Sequence, residues 1–266
     1  MKIIVSVKQV PDTSGKVAVN PDGTLNRASM AAITNPDDLN AVEAALVLKE
    51  QTGAEVIVVS MGPPPAEGML REVMARGVDR AVLISGREFG GSDTYATSQI
   101  IAAAIDKIGV DKDDIVMCGR QAIDGDTAQV GPQIAEKLNL PQVSYAAEIT
   151  KDGDTITVKR MLEDGYMTIK VKTPCLITCI KELNEPRYMS VNGIFECYSK
   201  PYEIYDYNTL KDHPFIDKDT IGLSGSPTNI LTSFTPPQKG AGMMLEGADK
   251  ATCEKLAGIM AAKHMI

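Results

Sequence analysis

Between Ile115 and Leu138 the chain reads IVMCGRQAIDGDTAQVGPQIAEKL, a stretch rich in residue types able to act on a ligand. The apolar run Ile115-Val116-Met117-Cys118 predicts a buried strand, and Val130, Ile134, Ala135 and Leu138 recur at helical spacing. Small residues gather where strand hands over to helix. The first backbone N–H groups of such a helix lack intrahelical partners and lie at the positive end of its dipole, so a phosphate is their natural occupant. Asp126 and Thr127 are candidate N-caps, Ala128 leaves space for a ligand, and Pro132 falls in the first turn, where its missing N–H matters little. An ordinary well-capped helix of an α/β sheet would show the same pattern. Asp124 and Asp126 could share acid/base work, although capping explains them more cheaply.

Other chemistries find less support. The cysteines Cys118, Cys175, Cys179, Cys197 and Cys253 form no C-x-x-C pair, and the histidines are His213 and His264, far down the chain. Neither a zinc site nor an iron–sulfur cluster held by this chain alone is expected, and no metal ligands are assigned. The same shortage argues against Ser-His-Asp and Cys-His nucleophiles. Cys175 and Cys179 sit in TPCLITCI, where core packing on one strand face is the expectation.

Composition narrows the partners. Acidic residues number 35 against 27 basic ones, for a formal charge of −8, which disfavours nucleic acid and anionic membrane. With no Trp and few other aromatics, no base-stacking surface is suggested. The start, MKIIVSVKQVP, has too short an apolar run for a signal peptide, and no segment is long enough to span a bilayer. We expect a cytoplasmic protein without membrane insertion, whose 266 residues suit one large domain, or one domain with an appendage.

The elements that must position the central stretch follow a regular rhythm. Lys2 to Val7 predicts a strand buried on both faces, with Ser6 its polar interruption. Asn20-Pro21-Asp22-Gly23 signals a turn. Asn35 is the expected N-cap of a helix that opens with Pro36 and runs through Lys49 to Gly53. Ala54 to Ser60 is a second strand, and Met61-Gly62 begins a stiff turn before a helix over Ala66 to Arg76. A third strand, Asp79 to Ser85, leads into the glycine-rich loop Gly86 to Asp93, which fits neither the dinucleotide fingerprint nor a P-loop. That loop could contact a second nucleotide or be plain linker. A helix through Tyr95, Ile100, Ile101 and Ile105 follows it. The alternation implies an α/β fold, a doubly wound, mostly parallel sheet with ligands at the strand carboxyl ends. Ser6, Asn35, Met61-Gly62 and Gly119 to Gly131 all fall on that edge.

After Pro141 the character changes. Ser144 to Thr150 and Thr155 to Leu162 predict a hairpin, followed by strands at Tyr166 to Val171 and Pro174 to Ile180. From Asn184 the sequence reads as irregular, with one further helix at Asp249 to Lys263. We expect an α/β domain over 1–190 and, over 191–266, the end of a loop and an extended C-terminal arm that lies on another subunit.

These segments resemble the β subunit of electron-transferring flavoprotein along essentially the whole chain. The matches are VSVKQVPD at 5–12, Asn35-Pro36, VSMGPP at 59–64, GRQAIDGDTAQVGP at 119–132, VKRMLEDGYMTIKVKTPCLIT at 158–178, NEPRY at 184–188, and GLSGSPTNI with FTPP near the end. The resemblance implies an adenine nucleotide alpha hydrolase-like fold, pairing with a homologous α subunit, and no side chain with a covalent role. It makes an adenine-nucleotide site of Ser6, Asn35, Met61, Gly62, Gly119, Arg120, Gln121, Ala122, Asp124, Gly125, Asp126, Thr127, Ala128, Gln129, Val130, Gly131 and Pro132.

Within that family the occupant is AMP in respiratory proteins and a second FAD in bifurcating ones. Respiratory members resemble KQAIDDD with a bulkier C-N-Q-T segment, where this chain has Arg120, Gly125, Thr127 and Ala128. Smaller side chains leave room for a flavin, and an Arg can stabilise its anionic form, so FAD is the favoured reading. The resemblance then implies that NADH reduces this FAD, one electron passing to ferredoxin or flavodoxin and the other, through an α-subunit FAD, to an acyl-CoA dehydrogenase-type flavoprotein. Arg87, Phe89, Gly90 and Gly91 are the expected NADH contacts. Met189, Val191 and Ile194 resemble the loop that docks on the partner dehydrogenase. The alternatives are a non-bifurcating subunit with structural AMP and, in another class, a universal-stress-type nucleotide sensor.

Overall fold

The computed structural model describes residues 1–12, 31–228 and 240–266, so the turn expected at Asn20 to Gly23 lies outside the described residues. The first part of the chain runs β1 (Lys2–Ser6), β2 (Gln9–Pro11), β3 (Ala32–Thr34), α1 (Pro36–Thr52), β4 (Glu55–Met61), α2 (Ala66–Ala75), β5 (Arg80–Ile84), α3 (Thr94–Ile108), β6 (Ile115–Gly119) and α4 (Val130–Lys137). It continues through β7 (Gln142–Asp152), β8 (Thr155–Met161), β9 (Tyr166–Lys172), β10 (Cys175–Cys179), α5 (Val191–Glu196), β11 (Tyr202–Tyr205), α6 (Tyr207–Leu210), α7 (Gly222–Gly225) and α8 (Lys250–Ala262).

Among the described residues, nine strands form one sheet in the order β11-β5-β4-β1-β6-β10-β7-β8-β9. Pairing is parallel from β11 to β7 and antiparallel from β7 through β8 to β9. The β-branched runs account for this, because a parallel strand covered on both faces needs apolar side chains at successive positions. Ile3 and Val5 pack with Val56, Val58 and α1 and α2 on one face, while Ile4 packs with Ile57, Val59 and α3 and α4 on the other. The fold is thus mixed α/β, with a large, mostly parallel sheet between helices. No helix among the described residues is long and apolar enough to cross a membrane.

Strand order also locates a crevice. From β1 the chain steps outward to β4 and β5, then crosses back through α3 to place β6 on the other side of β1. The loops that leave the neighbouring ends of β1 and β6 therefore diverge, which opens the sheet edge there.

Three local departures from the sequence reading have physical causes. The helix expected right after Thr127 begins later, at Val130, because Asp126 (φ 50°) and Ala128 (φ 52°) are left-handed. Neither Asp126 nor Thr127 is the N-cap; Gln129 holds that position without a side-chain capping bond. Beyond Asn184 the chain is more ordered than its periodicity suggests, since Tyr202–Tyr205 adds a parallel edge strand to β5, fastened by Arg80 to Glu203 at 2.6 Å. Four residues are too few for a period of two to register. Between β10 and residue 228, α5, α6 and α7 add short turns of helix.

The described residues up to 228 belong to one compact unit, and 240–266 belong to a second. In the second unit α8 buries none of its residues.

Candidate functional site

The crevice is assembled from the ends of β1 and β6 and the first turn of α1. Asp38, buried in that turn, accepts the Lys8 amide at 2.8 Å on one carboxylate oxygen and the Gly119 amide at 2.9 Å on the other. One side chain so joins two strand ends whose onward loops part. Burial pushes the Asp38 carboxyl up to about 7, with the neighbouring Asp37 adding to the rise and its amide donors opposing it. Burial also raises Asp37, against the pull of Arg120, whose Nε lies 3.4 Å from Asp37 Oδ2.

Asn35 holds the next part of the loop. It occupies the N-cap position of α1, yet its side chain makes no capping bond. Its amide instead donates to the Gln121 carbonyl at 2.8 Å and accepts from the Ile123 amide at 3.1 Å. Lys8 Nζ then reaches both oxygens of Asp124, at 2.7 and 2.9 Å, and Gln121 Nε2 donates to Asp126 Oδ1 at 2.7 Å. The loop from Gly119 to Asp126 is therefore moulded on α1 and the exit of β1.

Beyond the loop, consecutive left-handed Ala128 and right-handed Gln129 give a backbone pattern that gathers N–H groups into an anion-binding hollow. Among the described residues no protein acceptor takes the amides of Ala128, Gln129 or Val130. Their left-handed neighbours carry side chains, a strain of about 1–2 kcal/mol per residue that tends to persist where backbone geometry is functional. Gly131 lets α4 sit close to the sheet, since a Cβ there would lie 2.7 Å from Cys118 Sγ and 2.9 Å from Thr178 Cγ2.

Two adjoining cavities result. The smaller, about 200 Å³, is lined by Ser6, Met61, Gly119 to Ala122 and Thr127 to Gly131, together with Val7, Lys8, Asp38, Ser92, Thr97, Ile101, Cys118 and Ile134. The larger, about 930 Å³, lies along Gln9 to Pro11, Met61 to Pro64, Ile84 to Arg87, Phe89 to Ser92 and Asp124. Lys8, Met61 and Ser92 border both.

Most of the expected residues are brought together here. Arg87, Phe89, Gly90 and Gly91 line the larger cavity with Gly62 and Asp124. Asn35 is fully buried behind the wall, and Gly125, Asp126 and Pro132 line neither cavity. Met189, Val191 and Ile194 lie apart from the crevice, exposed in and just before α5, with Val191 72% exposed. Sequence reasoning missed Asp38 and Lys8: the one reads as a first-turn acid favouring the helix dipole, the other as a surface cation. Cys175 and Cys179 are core residues of β10, and burial pushes the Cys175 thiol up to about 12.

An α/β protein whose crevice opens at the switch point of a parallel sheet, floored by free helix-terminal amides, is the class that fold and site define. The electron transfer flavoprotein domain matches residues 22–203. The chain is 68% identical over 267 residues to the acryloyl-CoA reductase electron transfer subunit gamma of Anaerotignum propionicum, covering 100% of both chains. It is 50% identical to the caffeyl-CoA reductase-Etf complex subunit CarD of Acetobacterium woodii, over 99% of this chain and 97% of that one. With the electron transfer flavoprotein subunit beta of Clostridium acetobutylicum it shares 49% identity over 100% of both. The chain belongs to the electron transfer flavoprotein family, among its beta subunits.

Proposed function

We propose that this chain is the nicotinamide-facing half of an electron-bifurcating heterodimer, holding FAD in the paired cavities. With an alpha subunit it serves ferredoxin or flavodoxin on one side and an acyl-CoA dehydrogenase-type flavoprotein on the other. The relatives named as parts of an acryloyl-CoA reductase and a caffeyl-CoA reductase complex favour the acyl-CoA direction.

One observation carries the choice of FAD over AMP. The amide-floored cavity of about 200 Å³ adjoins, at Lys8, Met61 and Ser92, a second space of about 930 Å³, room for a group larger than an adenylate. Family membership makes a flavin the implied group, and the residues fit it. The amides of Ala128 to Val130 suit a pyrophosphate, and Val7, Met61, Ile101 and Ile134 offer apolar wall. Arg120 supplies a fixed positive charge, and among the described residues its Nε has no hydrogen-bond partner, only the ion pair to Asp37. When bound, FAD supplies acceptance of a hydride and release of single electrons. The chain's own task is to bind, to orient, and to set the local charge with Arg120, Asp37 and Lys8.

Purified heterodimer should release FAD beyond the share of the alpha subunit, and Arg120→Ala should shift the flavin absorption spectrum and the rate of reduction by NADH. Colourless AMP recovered from the crevice would reverse the assignment. An unchanged spectrum and rate in Arg120→Ala would remove Arg120 from its role.

A further inference from the structure

The motif GLSGSPT at 222–228 lines neither cavity. It packs on the glycine-rich loop Gly86 to Asp93, the wall of the larger cavity. Ser226 Oγ accepts from the Asp93 amide at 2.8 Å and donates to the Gly222 carbonyl at 2.7 Å. Ser92 Oγ accepts from the Gly222 amide at 3.1 Å and donates to the Phe89 carbonyl at 2.8 Å. Both oxygens of Asp93 are engaged. Oδ1 takes the Ala96 amide at 3.0 Å, capping α3, and Oδ2 takes the Thr228 amide at 2.9 Å.

Glycines make the approach possible from both sides. Gly222 is left-handed (φ 65°), and a Cβ on it would run into the Glu88 carbonyl oxygen. Gly91 is also left-handed (φ 75°), and its Cβ would lie 2.9 Å from Leu223 Cβ. Two backbones are therefore stitched together by two serine hydroxyls and one carboxylate, with Ser226 only 5% exposed.

We propose that Ser226 is a positioning residue for NADH, holding Phe89 to Ser92, a wall of the larger cavity, in the shape that receives NADH before it arrives. The inference rests on the proposed function, in which NADH reduces the flavin of the paired cavities, and on Arg87 and Phe89 to Gly91 as the NADH contacts. A wall ordered in advance removes the ordering cost from binding, so its loosening should weaken binding and spare the later steps.

The test uses the full heterodimer with Ser226→Ala, Ser226→Thr, which keeps the hydroxyl, and Ser224→Ala, an exposed control in the same motif. Losing the two hydrogen bonds of the Ser226 hydroxyl should speed amide hydrogen exchange in Phe89 to Asp93 about tenfold and raise the KM for NADH roughly five- to tenfold, with kcat within about twofold. Bound nucleotide should be unchanged, Ser226→Thr should restore wild-type behaviour, and Ser224→Ala should match wild type. Faster exchange with an unchanged KM would overturn the positioning role, and unchanged exchange would overturn the latch itself. A wild-type heterodimer that NADH does not reduce would instead sink the parent reading of the cavity, and this role with it.

Discussion

The backbone amide of Gly119 donates to Asp38 Oδ1 at 2.9 Å, and the contact is so close that a Cβ on Gly119 would lie 2.5 Å from that same oxygen. The last residue of β6 must be glycine for the clamp to close. Gly125, six residues on in the same loop, has nothing within 4 Å of where a Cβ would stand. Gly119→Ala should therefore cost about 1–3 kcal/mol or more through overpacking, and Gly125→Ala should stay within roughly 0.5 kcal/mol. Urea unfolding of both variants checks this, and equal losses would show that the clamp does not matter.

Asp38 also gives stability a pH dependence of defined sign. Its folded-state carboxyl sits at about 7, above the ordinary value of 3.8, so between those limits the folded chain binds a proton that the unfolded chain has released. The contribution is fully present below pH 3.8 and is lost as pH rises through about 7, by at most roughly 1.4 kcal/mol per unit. Carboxylates held low, such as Asp154 beside Lys172 and Asp206 beside Thr209, act below this window with the opposite sign. The stability advantage of wild type over Asp38→Asn should shrink between pH 4.5 and 7.5. Parallel stability curves would contradict it.

Asn35→Ala should leave the Gln121 carbonyl and the Ile123 amide without partners, at about 1–3 kcal/mol. Asn35→Asp should be no milder, since it loses the donor to Gln121 and adds a charge beside buried Asp38. Because the loop from Gly119 to Asp126 rests on this side chain, nucleotide retention on dialysis should fall in both variants. Full retention with a normal melting temperature would refute the tie.

How far the sequence disclosed this follows from what local pattern can carry. The β-branched runs from Ile3 to Val5 and Val56 to Val59 announce buried parallel strands because both faces must be apolar. The small residues Gly119, Ala122 and Ala128 announce a place where backbone borders open space, and all three line the smaller cavity. Burial of a charged residue leaves no such mark. Asp38 differs from any first-turn acid only by what lies above it, two strand ends distant by 30 and 81 residues. The left-handed Asp126 and Ala128 were equally hidden, because neither residue type demands that conformation.

At α5 exposure and support separate cleanly. Val191 stands in solvent, while Gly193 packs so tightly that a Cβ would strike the Ala75 carbonyl oxygen. Arg187, bonded to Glu43 at 2.9 Å and Glu50 at 2.5 Å, fixes the approach to the helix. If this is the docking surface for the dehydrogenase, Val191→Ala should leave stability within about 0.5 kcal/mol and slow transfer to that partner roughly five- to thirtyfold. Gly193→Ala should lower both stability and transfer. Transfer by Val191→Ala at the wild-type rate would move the docking site elsewhere.

The most direct test of the account is the nucleotide content of the purified heterodimer, measured by chromatography of a heat extract. Two FAD per heterodimer, with no AMP, is the expected result. One FAD accompanied by one AMP would contradict a flavin in the paired cavities and leave this chain an adenylate-holding relay subunit.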